Sequence, residues 1–161
     1  AIGSALVQLI HYKGAEITAV CDTPNLDLVK SLGAHRVIDY LKEDFTRCGD
    51  TFDVVLDAVG KSTFARCKPL LKEKGIYISS ELGPWIQNPF LALITPVFGG
   101  KKVIFPVPVN CKRSVLYIQQ LIQEGKFEAV IDRAYSLEHI ADAYRYVETG
   151  EKIGNVVLEL K

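Results

Sequence analysis

Apolar side chains fall at Ile2, Ala5, Leu6, Leu9 and Ile10, the spacing of a helix with one buried stripe, and Gly14 supplies its stop. Ile17 to Cys21 is short, β-rich and bounded by polar residues, which predicts a buried strand. Thr23-Pro24 offers an N-cap and a first-turn proline for a helix through Leu28, Val29 and Leu32 that Gly33 ends. Arg36 to Asp39 reads as a brief strand, Leu41 to Asp50 as a polar connection, and Phe52 to Asp57 as a strand covered on both faces.

The alternation continues with a helix from about Ser62 to Leu71 and a strand from Gly75 to Ser79. Trp85 to Phe98 reads as an apolar, proline-interrupted helix or pair of turns, and Lys102 to Val107 as a strand. Lys112 to Glu124 predicts a helix with Val115, Ile118, Leu121 and Ile122 inward. Val130-Ile131 is a short strand; Ser136 can cap a helix bearing Ile140, Ala143, Tyr144 and Val147 on one face, which Gly150 ends; Asn155 to Leu160 suits an edge strand. Strands separated by helical segments of roughly 10 to 15 residues argue for right-handed crossovers, a mostly parallel sheet and the α/β class. The last 30 or so residues are expected to pack on something other than that sheet.

Composition narrows the function classes. The chain has 161 residues, 48% hydrophobic and 24% charged, as in an ordinary globular domain. Nineteen basic residues balance nineteen acidic ones, so no charge footprint points to nucleic acid or an anionic membrane. No signal peptide is legible, and the most apolar stretch, Trp85 to Gly100, is broken by Gln87, Asn88, Pro89 and Pro96 and is too short to span a bilayer. Cys21, Cys48, Cys67 and Cys111 lie far apart, without zinc-finger spacing, and read as buried or inert thiols of a reducing cytosol, which predicts a cytoplasmic protein. His11, His35 and His139 are isolated in sequence and read as solvated or cap-forming. The start Ala1-Ile2-Gly3-Ser4, with no Met anywhere, looks cut from something longer.

The spacing that bears on chemistry joins Gly3 to Asp22, with one helix and one strand between them. In a dinucleotide-binding unit a glycine-rich turn opens the first helix, whose N-terminus faces the pyrophosphate, and an acidic residue about 20 positions on accepts from a ribose hydroxyl. Only one of the fingerprint's glycines is present, and Asp22 could equally begin a turn or cap the next helix. None of the seven tyrosines has Lys four positions on, which argues against a short-chain dehydrogenase. Gly60-Lys61-Ser62 ends like a P-loop but has Val55 where its first glycine belongs. A methyltransferase and a non-catalytic nucleotide-binding or assembly module remain open.

Ala1 to Gly14, Gly14 to Cys21, Leu28 to Ala34, Val37-Ile38-Asp39-Tyr40, Phe52 to Gly60 and Gly154 to Leu158, in that order along nearly the whole chain, resemble the medium-chain dehydrogenase/reductase superfamily. Within it the similarity is to the quinone oxidoreductase-like branch, homologous to zinc-type alcohol dehydrogenases. The resemblance implies a Rossmann-like doubly wound parallel sheet apparently lacking its first strand, with a gap in the core where that strand belongs. It implies a nucleotide-binding portion over residues 1–133 and a helix and strand over 134–161 returning toward a catalytic domain outside this chain.

By the same resemblance, Ile2 and Gly3 close the glycine-rich turn, Asp22 selects between the nicotinamide cofactors, and Tyr40 flanks the adenosine half. Ala58, Val59 and Gly60 lie at the carboxyl end of the fourth strand beside the cofactor, and Ser80 to Gly83, with Leu82, borders the nicotinamide. Many members of this branch hold the phosphate of NADP with Ser and a basic residue where Asp22 and Pro24 stand here, so NAD(H) is expected over NADP(H), with Lys30, Arg36 or Lys42 as bases that could reach a phosphate from elsewhere. No zinc is expected in this portion, since the family's zinc ligands lie largely in the other domain; a zinc-dependent alcohol dehydrogenase is the alternative reading. The expected reaction is hydride transfer to a quinone, enone or carbonyl, the protein mainly positioning the reactants. The expected assembly is a homodimer, with Trp85 to Phe98 as core, subunit contact or cleft wall.

Overall fold

The computed structural model describes residues 1–160. Its elements run α1 (Ile2–Tyr12), β1 (Thr18–Cys21), α2 (Leu26–Ser31), β2 (Arg36–Asp39), β3 (Phe52–Asp57), α3 (Phe64–Cys67), β4 (Leu71–Ser79), α4 (Gln87–Ile94), β5 (Lys102–Ile104), α5 (Cys111–Gln123), β6 (Ile131–Ser136), α6 (Ile140–Glu148) and β7 (Asn155–Glu159). Short 3-10 turns precede α2, α4 and α6 and follow α3 and α4. The α/β class and the parallel strand order are those the alternation predicts.

The strands form three separate sheets: β1 with β2, then β3-β4-β5, then β6 with β7. The Ile17 carbonyl accepts from His35 and Arg36 while the Cys21 carbonyl accepts from Tyr40, so β1 and β2 run parallel. β3, β4 and β5 are all parallel, with Val54, Val55, Leu56 and Asp57 opposite Ile76, Tyr77, Ile78 and Ser79. β6 and β7 pair parallel to each other and to no other described strand. β3, expected to be covered on both faces, is not: Asp53 and Val54 are exposed, because it pairs on one side only and stands at its sheet's edge.

The chain divides into two compact units. The first comprises residues 1–19, 25–37 and 112–161; the second, residues 20–24 and 38–111. In the first, Ile17, Ala34, Leu121 and Ala143 are buried, and the Gln8 amide on α1 both donates to the Glu128 carbonyl at 2.9 Å and accepts its N–H at 2.8 Å. Asp132 on β6 accepts the Tyr146 hydroxyl of α6 at 2.7 Å and the Ile153 N–H at 2.9 Å, tying β6, α6 and the approach to β7 together. The second unit has its core at Phe64, Cys67, Leu71, Tyr77 and Val103, with Phe45, Val55, Leu91 and Ala92 packed against it.

Several local expectations fail for nonlocal reasons. Thr23 does not cap α2; its hydroxyl donates to Asp39 Oδ2 at 2.5 Å instead, and α2 starts after Asn25. Ser136 stands at the N-cap of the 3-10 turn that leads into α6, but its hydroxyl shares a 2.9 Å hydrogen bond with His139 Nδ1 instead of taking a backbone N–H. The helix expected over Ser62 to Leu71 is a single turn capped by Thr63, followed by a 3-10 turn at Lys68–Leu70, since Pro69 lacks the N–H that would continue it. On α5 only Leu121 is buried, whereas Val115 is 65% and Ile122 49% exposed, so the apolar stripe is mostly turned to solvent. His11 and His35 are not isolated: their rings lie 5.8 Å apart, and His35 Nδ1 accepts the Ile17 N–H at 3.1 Å. All four cysteines are free; Cys67 is buried as expected, but Cys111 is exposed.

Candidate functional site

In the first unit, Ile2 and Gly3 lie in the first turn of α1, with Ile2 half exposed. No side chain caps that turn, so its leading N–H groups keep the donor capacity that favours an anion. Asp22, Tyr40, Ala58, Val59, Gly60 and Leu82 belong to the second unit.

Asp22 follows β1 directly, and the Tyr40 N–H donates to the carbonyl of Cys21 at 3.1 Å, so the ends of β1 and β2 bring Tyr40 beside the Cys21-Asp22 step. Tyr40 keeps its ring half exposed. Asp39, 6% exposed, organises this corner by accepting from the Thr23 hydroxyl and, at 3.1 Å, from the Leu41 N–H, with Lys42 Nζ at 3.4 Å. The Thr23 hydrogen bond, with help from Leu41 and Lys42, holds the Asp39 carboxyl below its ordinary value. Burial, reinforced by the negative charges of Asp22 and Asp39, pushes the Cys21 thiol up.

The second cluster forms where β3 and β4 end. Asp57, the last residue of β3, accepts from the N–H groups of Val59 at 3.2 Å and Gly60 at 2.8 Å through Oδ1. Its Oδ2 takes the Ser62 N–H at 3.4 Å and the Tyr77 hydroxyl at 3.0 Å. Tyr77 is fully buried, and that burial, with Asp57 beside it, raises its hydroxyl well above the ordinary range, so it stays a donor. Gly60 sits at φ +70°, and a methyl group there would meet Glu81 Cγ at 2.6 Å. The loop after β3 therefore lies against the loop after β4, and Gly60 comes together with Glu81 and its neighbour Leu82.

Asn88 holds the second loop. It is 1% exposed; its Nδ2 donates to the Glu81 carbonyl at 2.7 Å and its N–H to the Leu82 carbonyl at 3.1 Å, while its buried Oδ1 has no partner among the described residues. Between these anchors, Trp85 and Ile86 adopt φ +55° and +58°, a conformation disfavoured for side chains of their size. Trp85 is 99% exposed, and Phe90, Leu93, Val97 and Phe98 are exposed after it.

Of the residues that sequence reasoning singled out one by one, Asp22 and Tyr40 meet at the ends of β1 and β2, and Gly60 meets Glu81, next to Leu82, beyond β3 and β4. Sequence reasoning missed Asp57, Tyr77 and Asn88, the residues that hold these loops. The signal for Asp57 was a carboxylate ending an apolar strand just before a Gly turn; Tyr77, 20 positions on, offered none. No group of three or more His, Cys, Asp or Glu that could hold a metal occurs among the described residues, and no described helix is long and apolar enough to cross a membrane.

Residues 32–158 match the family model of zinc-binding dehydrogenases. The chain belongs to the zinc-binding dehydrogenase family. It is 31% identical over 163 residues to a chloroplastic quinone oxidoreductase of Triphysaria versicolor, covering 98% of this chain and 49% of that protein. It is 30% identical over 162 residues to an NADPH-dependent alkenal/one oxidoreductase of Arabidopsis thaliana, covering 98% and 37%. A quinone oxidoreductase from Coxiella burnetii superposes with a TM-score of 0.84 at 25% identity, over the whole of this chain and 50% of that one. The similarity to the quinone oxidoreductase-like branch of the medium-chain superfamily thus holds in sequence and in fold, and the chain spans half or less of each of these three proteins. Despite the family's name, the side chains described here supply no zinc-ligand set.

Proposed function

We propose that this chain is the cofactor-binding portion of an NAD(P)H-dependent oxidoreductase that transfers hydride to a quinone, enone or carbonyl substrate. The observation that carries the reading is the pair of pinned loops at the carboxyl ends of parallel β3 and β4, one held by Asp57 and the other by Asn88, meeting at Gly60. Ligands of open α/β sheets bind outside the carboxyl ends of the strands. A nicotinamide dinucleotide fits this position, since the backbone of Val59 and Gly60 is exposed and the orphaned Asn88 Oδ1 is an acceptor still lacking a donor. When bound, the nicotinamide carries the hydride. The chain's own task is to bind and orient it: Ala58 to Gly60 and Leu82 beside the nicotinamide half, and Asp22 and Tyr40 at the adenosine half.

Residues 1–133 form the nucleotide-binding part in this reading, and residues 134–161 connect it to the remainder of the enzyme. NAD(H) is preferred over NADP(H): Asp22 disfavours a phosphate, and Lys42, one of the bases that could offset it, is engaged by Asp39. The Arabidopsis relative, named as NADPH-dependent, makes the opposite preference the competing outcome. The enzyme works as a cytosolic homodimer, with the exposed apolar run from Trp85 to Phe98 supporting a subunit contact and light scattering deciding it.

The test is nicotinamide oxidation by the full polypeptide with 1,4-benzoquinone and with an α,β-unsaturated ketone. Turnover with either is expected, and none from residues 1–161 alone. Nucleotide binding without turnover would favour a non-catalytic module instead. Activity lost to a chelator and restored by zinc would favour the alcohol dehydrogenase reading.

A further inference from the structure

Asp57 has four donors on one carboxylate: the N–H groups of Val59, Gly60 and Ser62 and the hydroxyl of Tyr77. The loop it gathers has little else to shape it. Val59 is 68% exposed and Gly60 is exposed, so neither packs into the core, and an unpacked loop of this kind carries the full entropy of its free backbone. Tyr77, fully buried against Phe64, fixes the carboxylate from the core side. Gly60 at φ +70° lies against Glu81 and adds backbone freedom of its own, so the carboxylate has a conformation to select.

We infer that Asp57 is a positioning residue for the dinucleotide, fixing through its bonds to Val59 and Gly60 the loop conformation in which that backbone meets the cofactor. The inference rests on the cofactor site proposed above and adds the residue that sets its shape. Asp57 itself does not touch the ligand, because both of its oxygens are committed to the protein. A carboxylate suits the task because an amide offers only one acceptor oxygen for the same set of donors. Removing the side chain leaves the Val59 and Gly60 N–H groups without their acceptor and the loop free to reorder on each binding event, which weakens ligand binding directly.

The experiment uses the full polypeptide and the variants Asp57→Ala, Asp57→Asn and Gly60→Ala. It measures the NADH and NADPH dissociation constants by fluorescence titration, the KM for benzoquinone, and thermal stability, at a temperature where every variant is folded. Asp57→Ala is expected to weaken nucleotide binding about tenfold while the quinone KM changes less than about twofold. Asp57→Asn keeps one oxygen for Val59 and Gly60 and should restore binding to within about threefold of wild type. Gly60→Ala weakens binding whatever Asp57 does, since its methyl group meets Glu81. If Gly60→Ala weakens binding and Asp57→Ala does not, the role of Asp57 is overturned and the site stands. If neither weakens binding, the site itself is overturned. A lower melting temperature with unchanged nucleotide affinity, or an Asn variant as impaired as Ala, also overturns the positioning role.

Discussion

Tyr77→Phe tests the buried end of this network by removing a single oxygen. The ring stays where it is, with no exposed surface and its centroid 5.9 Å from that of Phe64, so packing changes little. The loss is the 3.0 Å hydrogen bond to Asp57 Oδ2, which leaves that oxygen with the 3.4 Å contact from the Ser62 N–H. A hydrogen bond to a charged group contributes about 1.5–3 kcal/mol, and the phenylalanine recovers part of that because no hydroxyl need be desolvated, so about 1.5–2 kcal/mol should be lost. For a chain of this size that is about 3–8 °C in Tm. Urea denaturation at neutral pH measures it, with an unchanged slope showing that only stability moved. A double-mutant cycle with Asp57→Asn should return a coupling of about 1 kcal/mol, because the two side chains touch. A Tyr77→Phe variant within about 0.5 kcal/mol of wild type, or a cycle without coupling, would refute the reasoning.

Three further outcomes follow. Asp39 titrates below its ordinary 3.8 in the folded protein, so its contribution is fully present above that pH and is lost as the pH falls through the lower folded value; the acid limb of a stability–pH curve should be shallower in Asp39→Asn. On α5, Leu121→Ala should cost about 2–5 kcal/mol in chemical denaturation and Val115→Ser within about 0.5 kcal/mol, since the first side chain is buried and the second 65% exposed; comparable losses would restore the fully inward helix. Asp22→Ser should shift the ratio of NADPH to NADH affinity toward NADPH by about tenfold in titration, and an unchanged ratio would remove Asp22 from cofactor selection.

The legible parts of the fold were those where local pattern and tertiary packing agree. β2 and β3 lie at the residues the pattern predicts, because short β-rich runs bounded by polar residues mark strands, although the pattern did not show that β3 is an edge strand with Asp53 and Val54 exposed. The stripe on α5 misled because a helical period shows that one face is apolar without showing what covers it. Thr23 looked like a cap for α2, but the competing acceptor, Asp39, sits on a neighbouring strand and is invisible in the local window. The left-handed backbone at Trp85 and Ile86 had no signal at all, since neither is a residue that favours that region. At the site, the strand-end positions Asp22, Gly60 and Leu82 came from spacing and resemblance. Of their supports, Asp57 left a local signal that went unread, whereas Tyr77 and Asn88 act on residues 20 and 7 positions away that only the folded chain brings to them.

Hydrogen–deuterium exchange on the full polypeptide, with and without saturating NADH or NADPH, tests the central claim most directly. Nucleotide should slow exchange together at two places in the second unit: the corner of Asp22 and Tyr40, and the paired loops at Ala58 to Gly60 and Leu82. Unchanged exchange in those segments, with protection appearing elsewhere or not at all, would contradict the assignment of this chain as the dinucleotide-binding part of the enzyme.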